Sequence, residues 1–211
     1  MCERLKYENE AYEQGYSYII GLDEAGRGPM AGPLVVAGVI FPKGFYDERI
    51  NDSKQLSEKK REELYDLVIE NALAYSIQII DEKEVDELNV YQASRQGMIR
   101  AICDLENLEC KPDFALTDAM PLGDVIKHHS IIKGDAKSIS IGAASILAKV
   151  TRDRIMIEYD KKYPEYHFKK HKGYPTKEHK EALKKYGACP IHRKSFKPVI
   201  EVLNEQLSFD I

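Results

Sequence analysis

Short apolar runs bounded by glycine, proline and polar residues open the chain, a pattern typical of β-strands. The first run covers residues 18–22 and the second covers 34–41, and a loop containing Pro29, Gly32 and Pro33 separates them. Shorter apolar runs follow at 76–80, 114–117 and 130–133. The pattern therefore predicts five strands within the first two thirds of the chain.

Apolar residues at helical spacing predict the helices between and after these runs. We expect a helix capped by Ser57 that extends to about residue 75, and helical structure up to about residue 105 with a break near Asn89. The longest predicted helix covers 138–162, where an apolar stripe consists of Ile139, Ala143, Ile146, Leu147 and Val150. Thr176 is expected to cap a helix that ends at Gly187, and a last short helix is expected at 198–207.

Strands first, followed by strands mixed with helices, favour the α/β class with helices packed on a mixed sheet. No glycine-rich or proline-rich linker divides the chain into independent domains. We expect a short N-terminal segment at 1–17 that forms a helix against the core, a core at 18–163, and a basic helical extension at 164–211 packed on that core.

The composition of the 211 residues, 43% hydrophobic and 31% charged, is that of an ordinary globular protein. No apolar stretch approaches the roughly 20 residues of a membrane span, and the N-terminus lacks the apolar region of a signal peptide. The cysteines show no metal-type spacing, so we expect reduced thiols in a cytoplasmic protein, although Cys103 and Cys110 could pair.

Charge is distributed unevenly along the chain, whose net charge is −4. Residues 127–197 contain 18 lysines and arginines against 7 acidic residues, and they contain all six histidines. Such a segment fits a basic face that binds a polyanion, and it equally fits an ordinary solvated helical surface.

Carboxylates follow three of the predicted strands. Asp23 and Glu24 end the first strand, Asp118 follows the run at 114–117, and Asp135 follows the run at 130–133. Neighbouring strand residues point to opposite faces, so Asp23 and Glu24 share a site only if the chain twists there, which the glycines that follow permit. Because the carboxyl ends of strands are where sites form in such sheets, we expect these carboxylates to lie together.

Four clustered carboxylates repel one another unless cations neutralise them. Oxygen ligands suit Mg²⁺ or Mn²⁺, and two such ions can support the in-line displacement of a phosphoryl group. Nothing in the histidine and cysteine spacing competes with this prediction, because His167 and His171 lack the pattern of a zinc site. A single aspartate at a strand end is more simply a turn or capping residue, and the flanking sequence decides against that alternative.

Seven ordered motifs give the chain a specific resemblance to ribonuclease HII, the type 2 ribonuclease H family, over residues 18–199. They are GLDEAGRGPMAGPLVVA at 21–37, NDSKQLSEKKRE at 51–62, TDA at 117–119, IKGD at 132–135, AASILAKVTRDR at 143–154, HKGYPTKEH at 171–179 and HRKSFKPV at 192–199. The resemblance implies a ribonuclease H-like fold, in which a mixed five-stranded sheet is flanked by helices and followed by a C-terminal helical extension.

The resemblance also implies a metal-dependent endonuclease that acts on RNA–DNA hybrids and on duplex DNA containing single ribonucleotides. Cleavage on the 5′ side of the ribonucleotide would leave 3′-hydroxyl and 5′-phosphate ends. The implied catalytic metal ligands are Asp23, Glu24, Asp118 and Asp135, which would hold two Mg²⁺ or Mn²⁺ ions with substrate bound. Asp153 is a competing carboxylate, but between Arg152 and Arg154 it is more simply part of an ion pair.

The same resemblance assigns substrate contacts. Gly26, Arg27 and Gly28 would approach the 2′-hydroxyl with their backbone, where side chains beside the arginine would interfere. Tyr174 would pack on the deoxyribose that follows, although a half-buried tyrosine before proline is its simpler explanation. Other candidate contacts to the substrate strand are Lys54, Ser145, Lys149, Arg152, Lys172 and Arg193.

The sequence leaves open two alternative functions and one additional partner. The related ribonuclease HIII branch prefers long hybrids, but it lacks the arginine of the GRG segment and carries an extra N-terminal domain. A hybrid-binding protein without catalysis is less consistent with four intact carboxylates. Residues Gln206, Leu207, Ser208 and Phe209 resemble a peptide that docks on the bacterial sliding clamp, or else form a fraying helix end, and nothing demands more than a monomer.

Overall fold

A mixed five-stranded sheet is the centre of the fold in the computed structural model, which describes residues 3–50 and 57–209, with side chains through residue 205. The strands lie in the order β3-β2-β1-β4-β5. β1 is antiparallel to β2 and parallel to β4, which is in turn parallel to β5. Their bounds are β1 Ile19–Ala25, β2 Leu34–Ile40, β3 Ala74–Ile80, β4 Phe114–Asp118 and β5 His128–Ile131.

Helices occupy the rest of the regular structure. They are α1 Lys6–Glu13, α2 Glu58–Asn71, α3 Glu82–Leu88, α4 Val90–Asp104, α5 Gly134–Lys137, α6 Ile139–Lys162, α7 Phe168–His171, α8 Lys177–Tyr186 and α9 Lys197–Phe209. Short 3₁₀ turns lie at Glu3–Leu5 and Pro164–Tyr166. The fold class predicted from the sequence, an α/β mixed sheet with a helical C-terminal region, is confirmed. Within the described ranges, no helix combines the length and the apolar character that crossing a membrane requires.

Capping residues set several of the predicted boundaries. The Ser57 side chain accepts from the Lys60 amide at 3.3 Å, and Thr176 accepts from the His179 amide at 3.2 Å, which confirms both predicted N-caps. Asn89 adopts a positive φ of 64°, so it separates α3 from α4 as predicted.

Boundaries of two strands and one helix differ from the predicted ones. β1 continues through the two carboxylates to Ala25, because it is paired with β2 along that whole stretch. The helix after Ser57 ends at Asn71 rather than near residue 75, since Ala74 and Tyr75 already belong to β3. The last strand is at His128–Ile131, two residues earlier than the predicted run.

Contacts group the chain into two compact units. The first unit contains residues 1–25, 35–79 and 94–150, and with them most of the sheet. The second unit contains residues 26–34, 80–93 and 151–211. The boundary between the units falls inside α4 and inside α6, and the division at residues 17 and 163 expected from the sequence stays a prediction.

The core of the first unit lies against the central strands. Every residue of β2 is buried, and so are the first five residues of β1. The five side chains of the predicted apolar stripe on α6 are all buried. The N-terminal helix α1 packs on this core through Ala11, which joins a cluster with Ile19, Phe114 and Leu116.

Two charged side chains near the N-terminus contact α5 and the start of α6. The buried carboxylate oxygen Oε1 of Glu8 accepts from Ser138 Oγ at 2.6 Å, Ser140 Oγ at 2.7 Å and the Ser140 amide at 3.1 Å. Arg4 Nη2 donates to the carbonyl oxygens of Asp135 at 2.9 Å and of Ser138 at 3.3 Å. The N-terminal segment therefore fixes the backbone from Asp135 to Ser140.

Aromatic and imidazole rings form much of the core of the second unit. Tyr166 and Phe168 stack with their ring centroids 5.3 Å apart, within an apolar cluster that includes Met156 and Ile191. His179 and His192 are buried beside these rings, and burial lowers the pKa of His179 to about 3 and of His192 to about 4. Both imidazoles are therefore neutral in the folded protein at neutral pH.

We expect Glu8→Ala to lower the free energy of unfolding by about 3 kcal/mol, because three buried donors from Ser138 and Ser140 would lose their acceptor. Glu10→Ala is the matched control on the same helix, since the pair of Glu10 with Lys6 spans 3.8 Å at the surface and should contribute less than about 0.5 kcal/mol. Urea denaturation of both variants measures the difference. Equal effects of the two substitutions would contradict the prediction.

We expect acid to destabilise the protein between pH 6.5 and 4. The unfolded histidines bind protons below about pH 6.5, whereas folded His179 and His192 stay neutral until about pH 3 and 4, so the unfolded state binds more protons in this window. The free energy of unfolding therefore decreases as the pH is lowered. At pH 5 the decrease is about 2 kcal/mol for each histidine.

Denaturation curves at pH 7.5 and pH 5 measure this slope. Replacing His179 by Phe should reduce it, and replacing the exposed His129 by Asn should leave it unchanged. A slope that is insensitive to His179→Phe would assign the acid sensitivity to other groups.

Candidate functional site

Three parallel strands of the first unit bring their carboxyl ends to one edge of the sheet. β1 pairs with β4 and β4 pairs with β5, and the register places Asp118 opposite Ile131, the last residue of β5. Asp23 lies one residue beyond Leu22, which pairs with Thr117. The expectation that separate strands deliver carboxylates to one edge is therefore met by the geometry.

Asp23, Asp118 and Asp135 form a compact group at this edge. One carboxylate oxygen from each lies within 4.8 Å of the others. Asp118 Oδ1 accepts from the Gly134 amide at 2.8 Å, so the Asp118 carboxylate also holds the turn that carries Asp135. The group contains Asp23 and Asp135 as buried residues and Asp118 as a half-buried one.

Glu24 is adjacent to this group but not part of the three-carboxylate set found among the described residues. Its charge acts on the Asp23 carboxyl group. Burial raises the pKa of Asp23 well above its usual range, and the nearby charges of Glu24 and Asp118 raise it further. Hydrogen bonds from the Ser145 side chain and from the Glu24 amide, the latter 2.8 Å from Asp23 Oδ1, act in the opposite direction.

The donor set fits a hard divalent cation. All three side chains of the group offer carboxylate oxygens, which Mg²⁺ and Mn²⁺ prefer, and no sulfur or imidazole belongs to it. A cation at this position would relieve the repulsion that disfavours three charged carboxylates in a partly buried space. Asp153, the competing carboxylate of the sequence analysis, is buried on α6 in the second unit and is not a member of the group.

Two further candidates lie on α6 in the first unit. Ser145 is buried and hydrogen-bonds to the Asp23 carboxylate, so it touches a candidate metal ligand. Lys149 is half-buried one helical turn later. The sequence suggested that these two residues share a face toward a substrate strand, and the hydrogen bond gives Ser145 a role in holding Asp23.

The glycine segment begins the second unit. Gly26 has a φ of +104°, and a Cβ there would lie 2.3 Å from Arg152 Nε and 2.7 Å from the carbonyl oxygen of Pro33. Backbone conformation and close packing therefore require this glycine, which the sequence analysis had ascribed to substrate approach. Arg27 and Gly28 are exposed and remain accessible to a ligand.

Arg152 and Arg193 hold the loop that contains this segment. Arg152 donates to the carbonyls of Pro33 at 2.9 Å, Ala31 at 3.0 Å and Lys172 at 2.8 Å. Arg193 donates from Nε to the Gly32 carbonyl at 2.9 Å. The predicted phosphate contacts of these arginines need correction, because side chains that are 1% and 0% exposed cannot reach a phosphate.

Tyr174 is the aromatic side chain closest to the exposed end of the glycine segment. It is 45% exposed, and a Cβ added at Gly28 would lie 3.3 Å from Tyr174 Cε1. Gly28 and Tyr174 therefore form one accessible surface in the second unit. Lys172 is half-buried, and its Nζ donates to the Lys169 carbonyl at 2.7 Å.

Two candidates fall outside what the structure describes. Lys54 lies in 51–56, beyond the described residues, and the side chains of Gln206, Leu207, Ser208 and Phe209 are likewise not described, although their backbone belongs to α9. Arg4 and Glu8, which hold the backbone from Asp135 to Ser140, were not predicted from the sequence. These partners lie 130 or 131 residues away along the chain, and no local pattern shows that a charged residue in a short N-terminal helix is bonded to them.

Comparison with known sequences places the chain among ribonucleases. The sequence profile of the family described as Ribonuclease HII matches residues 20–199. A relative from Acholeplasma laidlawii named Ribonuclease HII is 52% identical over 203 residues, which cover 96% of this chain and 98% of that protein. A relative of the same name from Clostridioides difficile is 56% identical over 191 residues, covering 90% of this chain and 74% of that one.

Solved structures agree with this placement. The crystal structure of ribonuclease H2 from Pyrococcus horikoshii matches with a TM-score of 0.73 at 28% identity, over 89% of this chain and 98% of that one. The ribonuclease HII in a PCNA complex from Archaeoglobus fulgidus matches with a TM-score of 0.73 at 26% identity, over 87% and 96% of the two chains. The chain therefore belongs to the ribonuclease HII family of ribonuclease H enzymes.

Proposed function

We propose that this protein is a metal-dependent endonuclease that degrades RNA in RNA–DNA hybrids and incises duplex DNA on the 5′ side of single ribonucleotides. The observation that carries the proposal is the group of Asp23, Asp118 and Asp135, whose oxygens lie within 4.8 Å of one another in a member of this family. The products would be a 3′-hydroxyl and a 5′-phosphate.

The metal ligands in this proposal are Asp23, Glu24, Asp118 and Asp135, and the ions are Mg²⁺ or Mn²⁺, two of them with substrate bound. Bound divalent cations would supply an activated water and neutralise the charge that develops on the leaving 3′-oxygen. The chain's own contribution is positional. Ser145 orients the Asp23 carboxylate, and the Gly134 amide orients Asp118 through a bond of 2.8 Å.

Sugar recognition is the role proposed for the glycine segment and Tyr174. A protein that distinguishes RNA from DNA must contact the 2′-hydroxyl, and the backbone of Gly26, Arg27 and Gly28 would make that contact. Exposed Gly28 leaves its backbone open beside the Tyr174 ring, which would pack on the following deoxyribose. Together they would read an RNA-to-DNA junction, and the 2′-hydroxyl would serve recognition rather than attack.

Phosphate contacts are proposed for Lys54, Lys149 and Lys172, which lie in the matched family motifs. Arg152 and Arg193 take another role, since they hold the carbonyls of the loop that contains the glycine segment. A monomer in the cytoplasm remains our expectation for the working form.

A ribonuclease HIII-like preference for long hybrids is the alternative within the enzyme class, and a hybrid-binding protein without catalysis is the alternative outside it. The arginine of the GRG segment favours the first proposal over the HIII-like alternative. The three converging carboxylates favour catalysis over binding alone.

The test is cleavage of a duplex with one embedded ribonucleotide, in Mg²⁺ and in Mn²⁺, by the wild type and by Asp118→Asn. Loss of one charged ligand should lower cleavage by at least about a hundredfold, because the metal loses a negative oxygen donor. Asp124→Asn is the matched control, since Asp124 is an exposed aspartate outside the carboxylate group.

End analysis of the products separates the mechanisms. Linear 5′-phosphate and 3′-hydroxyl ends support the proposal, and a 2′,3′-cyclic phosphate would mean that the 2′-hydroxyl attacks. A wild type that cleaves only continuous hybrids would support the HIII-like alternative. Failure to cleave any hybrid with either metal would sink the enzymatic proposal.

A sliding-clamp contact through Gln206, Leu207, Ser208 and Phe209 is a second proposal. It rests on their resemblance to a clamp-docking peptide, and the related ribonuclease HII from Archaeoglobus fulgidus was solved in complex with PCNA. These four residues close α9, the last helix of the chain.

We expect deletion of residues 206–211 to abolish co-elution with a bacterial sliding clamp while leaving cleavage of the ribonucleotide-containing duplex unchanged. Gel filtration of wild-type and shortened protein with purified clamp measures the contact. Co-elution that survives the deletion, or that is absent from the wild type, would contradict the clamp proposal without affecting the nuclease proposal.

A further inference from the structure

Three buried histidines of the second unit lie behind the segment that carries Tyr174. His171 and His179 stack with ring centroids 4.3 Å apart, and His179 Nε2 lies 3.1 Å from His192 Nε2. The proposed cleavage chemistry uses none of these rings. Their ring nitrogens nevertheless contact backbone groups at both ends of the cluster, and those contacts determine where each proton sits.

The backbone at Cys189 fixes the tautomer of His192. The Cys189 amide donates to His192 Nδ1 at 3.0 Å, so Nδ1 carries no proton. Cys189 Sγ lies 3.1 Å from the same nitrogen, and burial raises the pKa of this thiol to about 11, so no thiolate is present at neutral pH to require a proton on Nδ1. The single proton of neutral His192 is therefore on Nε2.

The proton on His192 in turn fixes the tautomer of His179. His192 Nε2–H donates to His179 Nε2, which must accept, so the proton of His179 is on Nδ1. His179 Nδ1 lies 2.9 Å from the carbonyl oxygen of Tyr174 and donates to it. We call this directed chain, from the Cys189 amide through His192 and His179 to the Tyr174 carbonyl, the imidazole relay.

His171 fixes the same turn from its other side. Its Nδ1 accepts from the Gly173 amide at 3.2 Å, so its Nε2–H donates to the Tyr166 carbonyl at 2.8 Å. The Tyr174 amide donates to the His171 carbonyl at 2.9 Å, and the Thr176 amide adds a second donor to the Tyr174 carbonyl at 2.8 Å. Tyr174 is therefore held at both its amide and its carbonyl.

We propose that His179, oriented by His192, is a positioning residue that sets the placement of Tyr174 and thereby the preference for an RNA-to-DNA junction. The inference rests on the junction-reading role proposed for Tyr174. Tyr174 is 45% exposed, so only part of its side chain is packed, and its placement beside Gly28 depends on the backbone that carries it. The relay supplies a fixed donor to that backbone from within the core.

Because every hydrogen bond of the imidazole relay has a fixed donor and a fixed acceptor, the relay cannot accept an additional proton. A second proton on His192 Nδ1 would face the Cys189 amide, and a second proton on His179 Nε2 would face the proton of His192 Nε2. Each ring must therefore be neutral and must adopt one tautomer. This gives the proposal an observable that does not depend on catalysis.

Long-range ¹H–¹⁵N NMR spectra of histidine-labelled protein at pH 7 test the relay itself. We expect the Nδ1–H tautomer for His179 and the Nε2–H tautomer for His192 and His171, and assignment follows from the loss of one signal set in each single histidine variant. A proton on Nε2 of His179 would overturn the relay. This measurement stands even if the protein proves to have no nuclease activity.

Kinetics on two substrates test the positioning role. We expect His179→Phe, which keeps a ring but removes both nitrogens, to lower kcat/KM on a duplex with one ribonucleotide by about tenfold. The loss on a continuous RNA–DNA hybrid should be much smaller, as with Tyr174→Ala. His179→Asn should retain most of the kcat/KM that His179→Phe loses on the duplex with one ribonucleotide, because the asparagine side-chain amide offers a donor near the position of Nδ1.

His167→Asn is the matched control, because His167 is an exposed histidine of the same unit with a φ of 58°, a conformation that asparagine accepts. This substitution should leave kcat/KM unchanged on both substrates. Equal losses of His179→Phe on both substrates, or no loss where Tyr174→Ala shows one, would overturn the positioning role. A wild type inert on both substrates would reject the proposed function, and the NMR result would still decide the relay.

Discussion

Carboxylates brought together at the buried end of a sheet repel one another, and each loses hydration as it is buried. Parallel pairing of β1, β4 and β5 imposes that proximity on Asp23, Asp118 and Asp135. Hydrogen bonds from Ser145 and from the Gly134 amide offset part of the repulsion and aim the oxygens. The repulsion that these hydrogen bonds do not offset favours the binding of divalent cations. The strands of the first unit keep the three carboxylates close enough for that binding.

The second unit solves a different problem, which is to hold exposed backbone in a fixed shape. Its loop at 26–33 turns its carbonyls inward, where Arg152 and Arg193 bind them, and leaves Arg27 and Gly28 at the surface. Two fully buried guanidinium groups are expensive to desolvate, and burial lowers the pKa of each to about 10. Hydrogen bonds to several backbone carbonyl oxygens offset that penalty. The two arginines therefore stabilise the conformation of the loop from within the core.

Much of this could be predicted from the sequence, because strands, caps and the Asn89 break follow from local chemistry. Apolar runs precede Asp23, Asp118 and Asp135, and the motifs that flank them distinguished these residues from ordinary turn or capping aspartates. The phosphate role expected of Arg152 was wrong, and the packing reason for Gly26 was not foreseen, since a glycine before an arginine looks the same whether or not it also lies against a buried guanidinium. Which ring nitrogen of each buried histidine carries the proton depends on contacts between residues far apart in the sequence, and no local pattern encodes such contacts.

Glu8 accepts hydrogen bonds from residues 130 and 132 positions further along the chain. During synthesis at 5–20 residues per second, the N-terminal helix would wait on the order of ten seconds before those partners emerge. Until then the Glu8 carboxylate lacks the donors that it binds in the folded protein, and the short helix α5, which carries Asp135, lacks its contact with Arg4. The helix α1 therefore cannot make its final contacts until the start of α6 has been synthesised, so it stabilises the backbone beside Asp135 only after that part of the chain has formed.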